Sequence, residues 1–232
     1  MKKVAFFDID GTIFRSSLLI EVTEAMISEG VLPASLRKLY VNSFRKWLNR
    51  EGSYDDYIHG VIKAFEENIK GVKEKDFMDV ARKVVEFHHN RVYRFTRDLV
   101  RDLKKKGYFL VAISNSPKEI LDEFCKLMGF DKVYGRIYEV DGDFRCTGKT
   151  LYLDLIRDKA KIVQRVLDRN PLTMRGSIGV GDTESDIPFL KMVERPICFN
   201  PNSKLYKYAL RAGWTIVIER KDVIHKVPPR KK

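Results

Sequence analysis

Apolar positions fall into two regimes along this 232-residue chain. Lys3 to Phe7 is a continuous apolar run ended by a polar turn, the pattern of a short strand buried on both faces. From about residue 17 to 95 the spacing is helical. Leu18, Leu19, Val22, Ala25 and Met26 form one stripe. Pro33 is expected to open a second helix, with Leu36, Leu39, Tyr40, Phe44, Trp47 and Leu48 on its apolar side and Gly52 at its end. Ser53 and Asp56 resemble a capping box for a third helix carrying Tyr57, Val61, Ile62, Phe65 and Ile69. A fourth starts near Lys75, with Phe77, Val80, Ala81, Val84, Val85 and His88 on one side. Four helices with no strand signal predict a small helical bundle.

After Tyr93 strands and helices alternate. Thr96 is expected to cap a helix ending at Gly107, followed by a buried strand over Tyr108–Ile113. Ser116-Pro117-Lys118-Glu119 matches a capping box with proline in the first turn, and that helix should end at Gly129. Asp141-Gly142 between two apolar stretches predicts a hairpin. Then come a helix over about 155–169, a strand at Gly176–Val180, a short helix near Ile187–Val193 and a strand at Pro196–Phe199. A helix at Lys204–Ala212 and a strand at Trp214–Ile218 close the pattern. Such alternation implies parallel βαβ units. The expected architecture is α/β: a Rossmann-like parallel-sheet core of residues 1–14 and 96–232, with an all-helical, four-helix-bundle-like domain over 15–95 inserted after the first strand.

Composition removes several classes. The formal charge is +12, but residues 96–232 carry 28 basic against 18 acidic side chains, while 15–95 carry 14 against 12. The excess is spread over helices and a short tail, Pro228 to Lys232, without a nucleic-acid motif, which disfavours a nucleic-acid partner. No apolar run approaches the roughly 18 residues of a membrane helix, and Asp8 and Asp10 interrupt what would otherwise begin like a signal peptide. Cys125, Cys146 and Cys198 are odd in number and lack metal-ligand spacing, consistent with reduced thiols in the cytoplasm.

In open parallel sheets ligands bind beyond the carboxyl ends of the strands. The residues there are Asp8-Ile9-Asp10-Gly11-Thr12, Ser114-Asn115-Ser116, and Gly181-Asp182-Thr183-Glu184-Ser185-Asp186, with Lys159 or Lys161 before a helix. Four acids on one edge require a cation or a proton among them. Mg²⁺ suits hard oxygen ligands, and what remains is a slot for a phosphoryl group.

On these residues the chain resembles the haloacid dehalogenase superfamily, in particular its phosphoserine-phosphatase-like branch, whose helical cap lies between the first two motifs. The DxDGT motif is complete at Asp8–Thr12, Ser114 ends an apolar strand, and Gly181–Asp186 forms GDxxxD. The resemblance implies a hydrolase acting on a small phosphorylated metabolite. Asp8 would be the nucleophile and form an aspartyl-phosphate, and Asp10 the general acid and base. Thr12, Ser114, Asn115 and a lysine would contact the phosphoryl group. Asp8, the backbone carbonyl of Asp10, and Asp182 would hold Mg²⁺, with Asp186 and Gly181 just outside them. Lys159 is preferred to Lys161 because Ile162, Val163 and Val166 follow it at helical spacing. A phosphotransferase or phosphomutase using the same intermediate, a receiver-type switch, and a basic nucleic-acid-associated protein are the alternatives. Two departures argue against phosphoserine as substrate. Ser17 stands where the branch has a Glu, and His59 where it has a cap Arg. Glu21 and Glu24 are possible substitutes, and Arg37, Lys38, Arg45, Lys46 and Arg50 could attract an acidic substrate or simply form a solvated face.

Overall fold

The structure, a computed structural model, describes residues 1–227; the basic tail 228–232 lies outside the described residues. Strand β1 (Lys2–Asp8) is central. It pairs in parallel with β2 (Phe109–Pro117) on one side and with β5 (Leu172–Gly181) on the other. Beyond β2 lie β3 (Lys132–Val140) and β4 (Cys146–Leu151), and beyond β5 lie β6 (Arg195–Phe199), β7 (Thr215–Arg220) and β8 (Val223–Val227). The order is β4-β3-β2-β1-β5-β6-β7-β8, with the two outermost strands antiparallel to their neighbours.

Register decides where the polar strand ends meet. Asp8 pairs with Ile113, and Phe7 pairs with Val180. Ser114 and Gly181, each one residue further on, therefore lie beside the end of β1 at Asp8. Alternation does the rest. Val4 and Phe6 point to one face, with Val111, Ile113 and the helices α8 (Lys159–Arg169), α9 (Ile187–Leu190) and α10 (Ser203–Ala212). Ala5 and Phe7 point to the other, with Leu110 and Ala112.

Between β1 and β2 stand α1 (Leu18–Ser28), α2 (Val41–Leu48), α3 (Tyr54–Glu66), α4 (Glu74–His88) and α5 (Arg94–Lys105). The first, third and fourth share one continuous apolar cluster with Ala5, Phe7 and α6 (Lys118–Met128). The helical segment is thus welded to one face of the sheet rather than built around a core of its own.

Several local expectations are corrected. The helix expected from Pro33 is a 3₁₀ turn over Ala34–Leu39, broken at Tyr40 before α2 begins. Gly60 of α3 packs there so closely that a Cβ on it would lie 2.8 Å from Tyr40 Cβ. Leu39 and Leu48 end up exposed. Thr96 lies inside the first turn of α5, and its hydroxyl donates to the Thr12 carbonyl at 2.8 Å. Ser116 belongs to β2, and Pro117 takes the cap position of α6. The helix expected over 155–169 splits into α7 (Leu153–Ile156) and α8, because Asp158 caps the second piece by accepting from the Ala160 amide. The edge strand β8 was not expected. Ser53 does cap α3, its hydroxyl accepting from the Asp56 amide at 3.0 Å. The Asp141-Gly142 hairpin forms between β3 and β4.

Candidate active site

Asp8 is the last residue of β1, and the chain turns sharply after it. The Ile9 carbonyl accepts from the amides of Thr12, Ile13 and Phe14. Gly11, at φ +80°, permits the turn, and a Cβ there would lie 2.2 Å from Asp182 Oδ2. Both demands select glycine: the left-handed backbone and the approach of a carboxylate.

Asp8 is buried. Its Oδ1 accepts from the Lys159 ammonium at 2.6 Å, and its Oδ2 is enclosed without a partner. Burial pushes its carboxyl up to about 7; Lys159 opposes that shift, while Asp186 and Asp10 add to it. Lys159 is the first residue of α8 and also donates to Asp186 Oδ1 at 2.5 Å. Burial works against its charge, but the carboxylates of Asp186 and Asp8 outweigh it and hold the ammonium above its ordinary range. Lys161 is exposed and does not line the cavity. The other oxygen of Asp186 accepts from the amides of Asp182 and Thr183 at 2.9 and 3.1 Å, so it ties the turn after β5 to Lys159. Gly181 is needed beneath it, since a Cβ there would lie 2.5 Å from Asp186 Oδ2.

Asp182 completes the acidic group. Withdrawal from bulk water, then the nearby Asp8 and Asp186 charges, raise its carboxyl well above the usual range. Oxygens of Asp8, Asp182 and Asp186 all lie within 4.8 Å of one another. This set of hard carboxylate oxygens fits a small divalent cation.

Asp10 faces a different set of groups. Its Oδ1 accepts from the Leu18 amide at 2.6 Å, and its Oδ2 from the hydroxyls of Ser114 and, at 2.8 Å, Ser116. Ser114 is fully buried, and its hydroxyl also accepts from the Ser116 amide. Asn115 is exposed at the cavity wall. Thr12 departs from the sequence reading. Its side chain is enclosed away from the cavity, and no phosphoryl contact follows from its position.

The cavity has a volume of about 470 Å³. Asp8, Asp10, Asp182 and Lys159 form its floor. Opposite them stand Phe44 and Trp47 of α2 and Tyr54, Tyr57, Ile58 and Ile62 of α3, with Arg15, Ser17, Glu21 and Arg91 at the side. Sequence reasoning missed Arg15 and Arg91, and it placed Ser116 three residues beyond the expected strand end at Ile113 but gave it only a capping role. Glu24 is tied to Arg37 and Tyr40 outside the cavity, and His59 is exposed outside it. None of Arg37, Lys38, Arg45, Lys46 and Arg50 lines it.

Comparison with known proteins places the chain in a family. The sequence profile of the haloacid dehalogenase-like hydrolases matches residues 5–191. A histidinol-phosphatase of Neisseria meningitidis serogroup C (strain 8013) is 23% identical over 233 residues, covering 94% of this chain and 99% of that protein. The phosphoserine phosphatase SerB1 of Mycobacterium tuberculosis (strain ATCC 25618 / H37Rv) is 25% identical over 218 residues, covering 91% and 69%. Among solved structures, a protein of unknown function from Bordetella pertussis Tohama I superposes with a TM-score of 0.72 at 17% identity, covering 94% and 99%. A phospho-aspartyl intermediate analogue of phosphoserine phosphatase superposes at 0.60 and 19%, covering 95% of each chain. Among the described residues no helix is long and apolar enough to cross a membrane.

Proposed function

The chain belongs to the haloacid dehalogenase-like hydrolase family and is a phosphatase, and from that premise we propose that it hydrolyses a small phosphorylated metabolite, with Mg²⁺, through an aspartyl-phosphate on Asp8. The observation that carries the chemistry is the asymmetry of Asp8. Lys159 holds Oδ1, whereas Oδ2 has no hydrogen-bond partner and is assigned as the nucleophilic oxygen.

In the first step Asp8 Oδ2 attacks phosphorus, the bond from phosphorus to the leaving oxygen breaks, and Asp10 gives that oxygen a proton. In the second, water attacks the same phosphorus, Asp10 takes its proton, and the Asp8 carboxylate is restored with release of inorganic phosphate. The Leu18 amide and Ser116 hydroxyl aim Asp10 for both transfers. Asn115, at the cavity wall, is assigned to the phosphoryl oxygens, with Lys159 screening their charge, while the enclosed Ser114 hydroxyl is spent on Asp10. Mg²⁺, held by Asp8, the Asp10 carbonyl and Asp182, would neutralise the charge built up where carboxylates meet a phosphate. Asp186 positions Lys159 and the Asp182 turn.

Residues 15–95 are assigned as a cap over a core of 1–14 and 96–232. The support is that Phe44, Trp47 and Tyr54 line the same cavity as Asp8. Three free, buried cysteines support the expectation of a cytoplasmic enzyme. The test is hydrolysis of p-nitrophenyl phosphate. Turnover should require Mg²⁺ and stop with excess chelator, and full activity without metal would sink the proposed mechanism. In a screen of phosphorylated metabolites phosphoserine should not lead, because the cavity offers Ser17 where that substrate's ammonium calls for an acid.

A further inference from the structure

The wall facing Asp8 is aromatic, and α2 exists chiefly to build it. No residue of α2 is buried, although its apolar and polar sides are sharply separated. Phe44 and Trp47, three positions apart and so on one face, are its large apolar side chains turned to the cavity. Tyr54 joins them and is 39% exposed, and Tyr57 backs them at 6%. Ring centroids of Phe44 and Tyr57 lie 5.0 Å apart. Trp47 stacks on Tyr57 at 5.7 Å with planes 19° apart, and meets Tyr54 edge-on at 5.5 Å. Ile58 and Ile62 complete an apolar patch around them. Aromatic side chains of a helical bundle normally pack into its core. Here Phe44 and Trp47 pack against the core on one side and, with Tyr54, also keep surface on a ligand-sized cavity.

The two carboxylates of α1 that could greet an ammonium are already engaged. Glu21 accepts from Arg91 at 2.8 Å and lies 3.4 Å from His88, so its charge is matched within the protein. Glu24 is held by Arg37 and Tyr40 away from the cavity. Neither glutamate of α1 is free to receive an ammonium at this wall, whereas a flat ring meets a ready stacking surface.

We propose that the leaving group of the substrate carries a flat unsaturated ring that seats on Phe44, Trp47 and Tyr54 while its phosphate lies on the Asp8 floor. The substrate class is the phosphomonoester of a ring-bearing alcohol. This rests on the phosphatase reading above and narrows it. The reaction is unchanged: the phosphorus–oxygen bond breaks, and the ring-bearing alcohol leaves with the proton from Asp10.

The test compares kcat/KM, with Mg²⁺, for benzyl phosphate, n-butyl phosphate and phosphoserine. The first two share their ionic group and differ in the ring. Benzyl phosphate should lead both by about tenfold or more. Trp47→Ala should bring the benzyl-to-butyl ratio close to one, and Trp47→Phe should keep it. An equal or better rate for butyl phosphate or phosphoserine overturns the proposal, as does a Trp47→Ala ratio that stays as in the wild type. A second readout needs no turnover. In a Trp214→Phe background Trp47 is the sole tryptophan, and benzyl phosphate should quench its fluorescence at concentrations where butyl phosphate does not. Equal quenching overturns the ring seat. Absence of hydrolysis of every ester rejects the phosphatase reading instead, and the quenching comparison then decides the ring seat by itself.

Discussion

The Lys159 ammonium lies 2.6 Å from Asp8 Oδ1, across 151 positions of chain, and 2.5 Å from Asp186 Oδ1. One buried cation therefore holds the end of β1 and the turn after β5 together. Removing it leaves two enclosed carboxylates without a counter-charge, a loss on the order of 3–5 kcal/mol. Lys159→Met should melt on the order of 10 °C lower than the wild type and lose nearly all activity. Lys161→Met, on an exposed side chain, should stay within about 0.5 kcal/mol of it. Thermal melts and initial rates of the two variants check this. Equal effects would reject the assignment of Lys159.

Asp8→Asn tests the nucleophile with little change of shape. The amide oxygen can still accept from Lys159, so the fold should persist by circular dichroism. Turnover should fall by about a thousandfold or more, since an amide does not form the phosphoryl intermediate. Retained turnover would place the nucleophile elsewhere.

How these residues were legible in the sequence, and why others were not, follows from the range of the forces involved. Asp8, Ser114 and Asp182 could be placed because each follows a buried apolar run, and parallel register carries such ends to one edge. Lys159 could be separated from Lys161 because burial of Ile162, Val163 and Val166 orients the helix. The break at Tyr40 could not be read, because it depends on Gly60 of another helix. Ser116 was taken for a cap because Ser-Pro-Lys-Glu satisfies that local pattern, yet Asp10, far away in sequence, claims its hydroxyl. The aromatic residues at helical spacing do pack on the core, yet Phe44, Trp47 and Tyr54 also line the cavity. Periodicity identifies the apolar face of α2 but not whether protein or cavity lies opposite it.

Gly11 carries a sharper demand than its motif suggests. Gly11→Ala would place a methyl 2.2 Å from Asp182 Oδ2 on a backbone at φ +80°. The left-handed conformation costs about 1–2 kcal/mol for alanine. The larger effect is displacement of the Asp182 carboxylate. Activity should fall by about a hundredfold or more, with a far smaller loss of stability than in Lys159→Met. Rates and melts measured together check the separation, and near-wild-type kcat/KM would show that Asp182 is free to move.

Three carboxylates with oxygens within 4.8 Å should respond to a divalent cation even without substrate. Mg²⁺ at a hundredfold above its Kd should stabilise the folded chain by about 2.7 kcal/mol, because it binds the folded site only. Asp182→Asn should abolish most of that rise. Calorimetric scans with Mg²⁺ and with chelator measure it. An Mg²⁺ shift unchanged in Asp182→Asn would move the cation away from this cluster.

Glu119 provides a pH signature outside the cavity. Burial raises its carboxyl to about 7, helped by Asp122 and Glu74, while its own backbone amide and Lys118 oppose the shift. Its Oε2 is enclosed without a partner. The folded state therefore holds this proton more tightly than the unfolded chain, whose glutamate titrates near 4.5. The stability it contributes is complete below pH 4.5 and is lost as pH rises through about 7. Asp8 and Asp182 are raised as well and tilt the curve the same way, so the informative quantity is the difference between wild type and Glu119→Gln, measured with chelator throughout. The variant is neutral at every pH, and its gain over wild type should grow between pH 5 and 8, reaching on the order of 1 kcal/mol, or about 2–4 °C. Parallel melting curves across that window would mean that Glu119 stays ionised in the folded protein, with solvent or a moved cation reaching its enclosed oxygen.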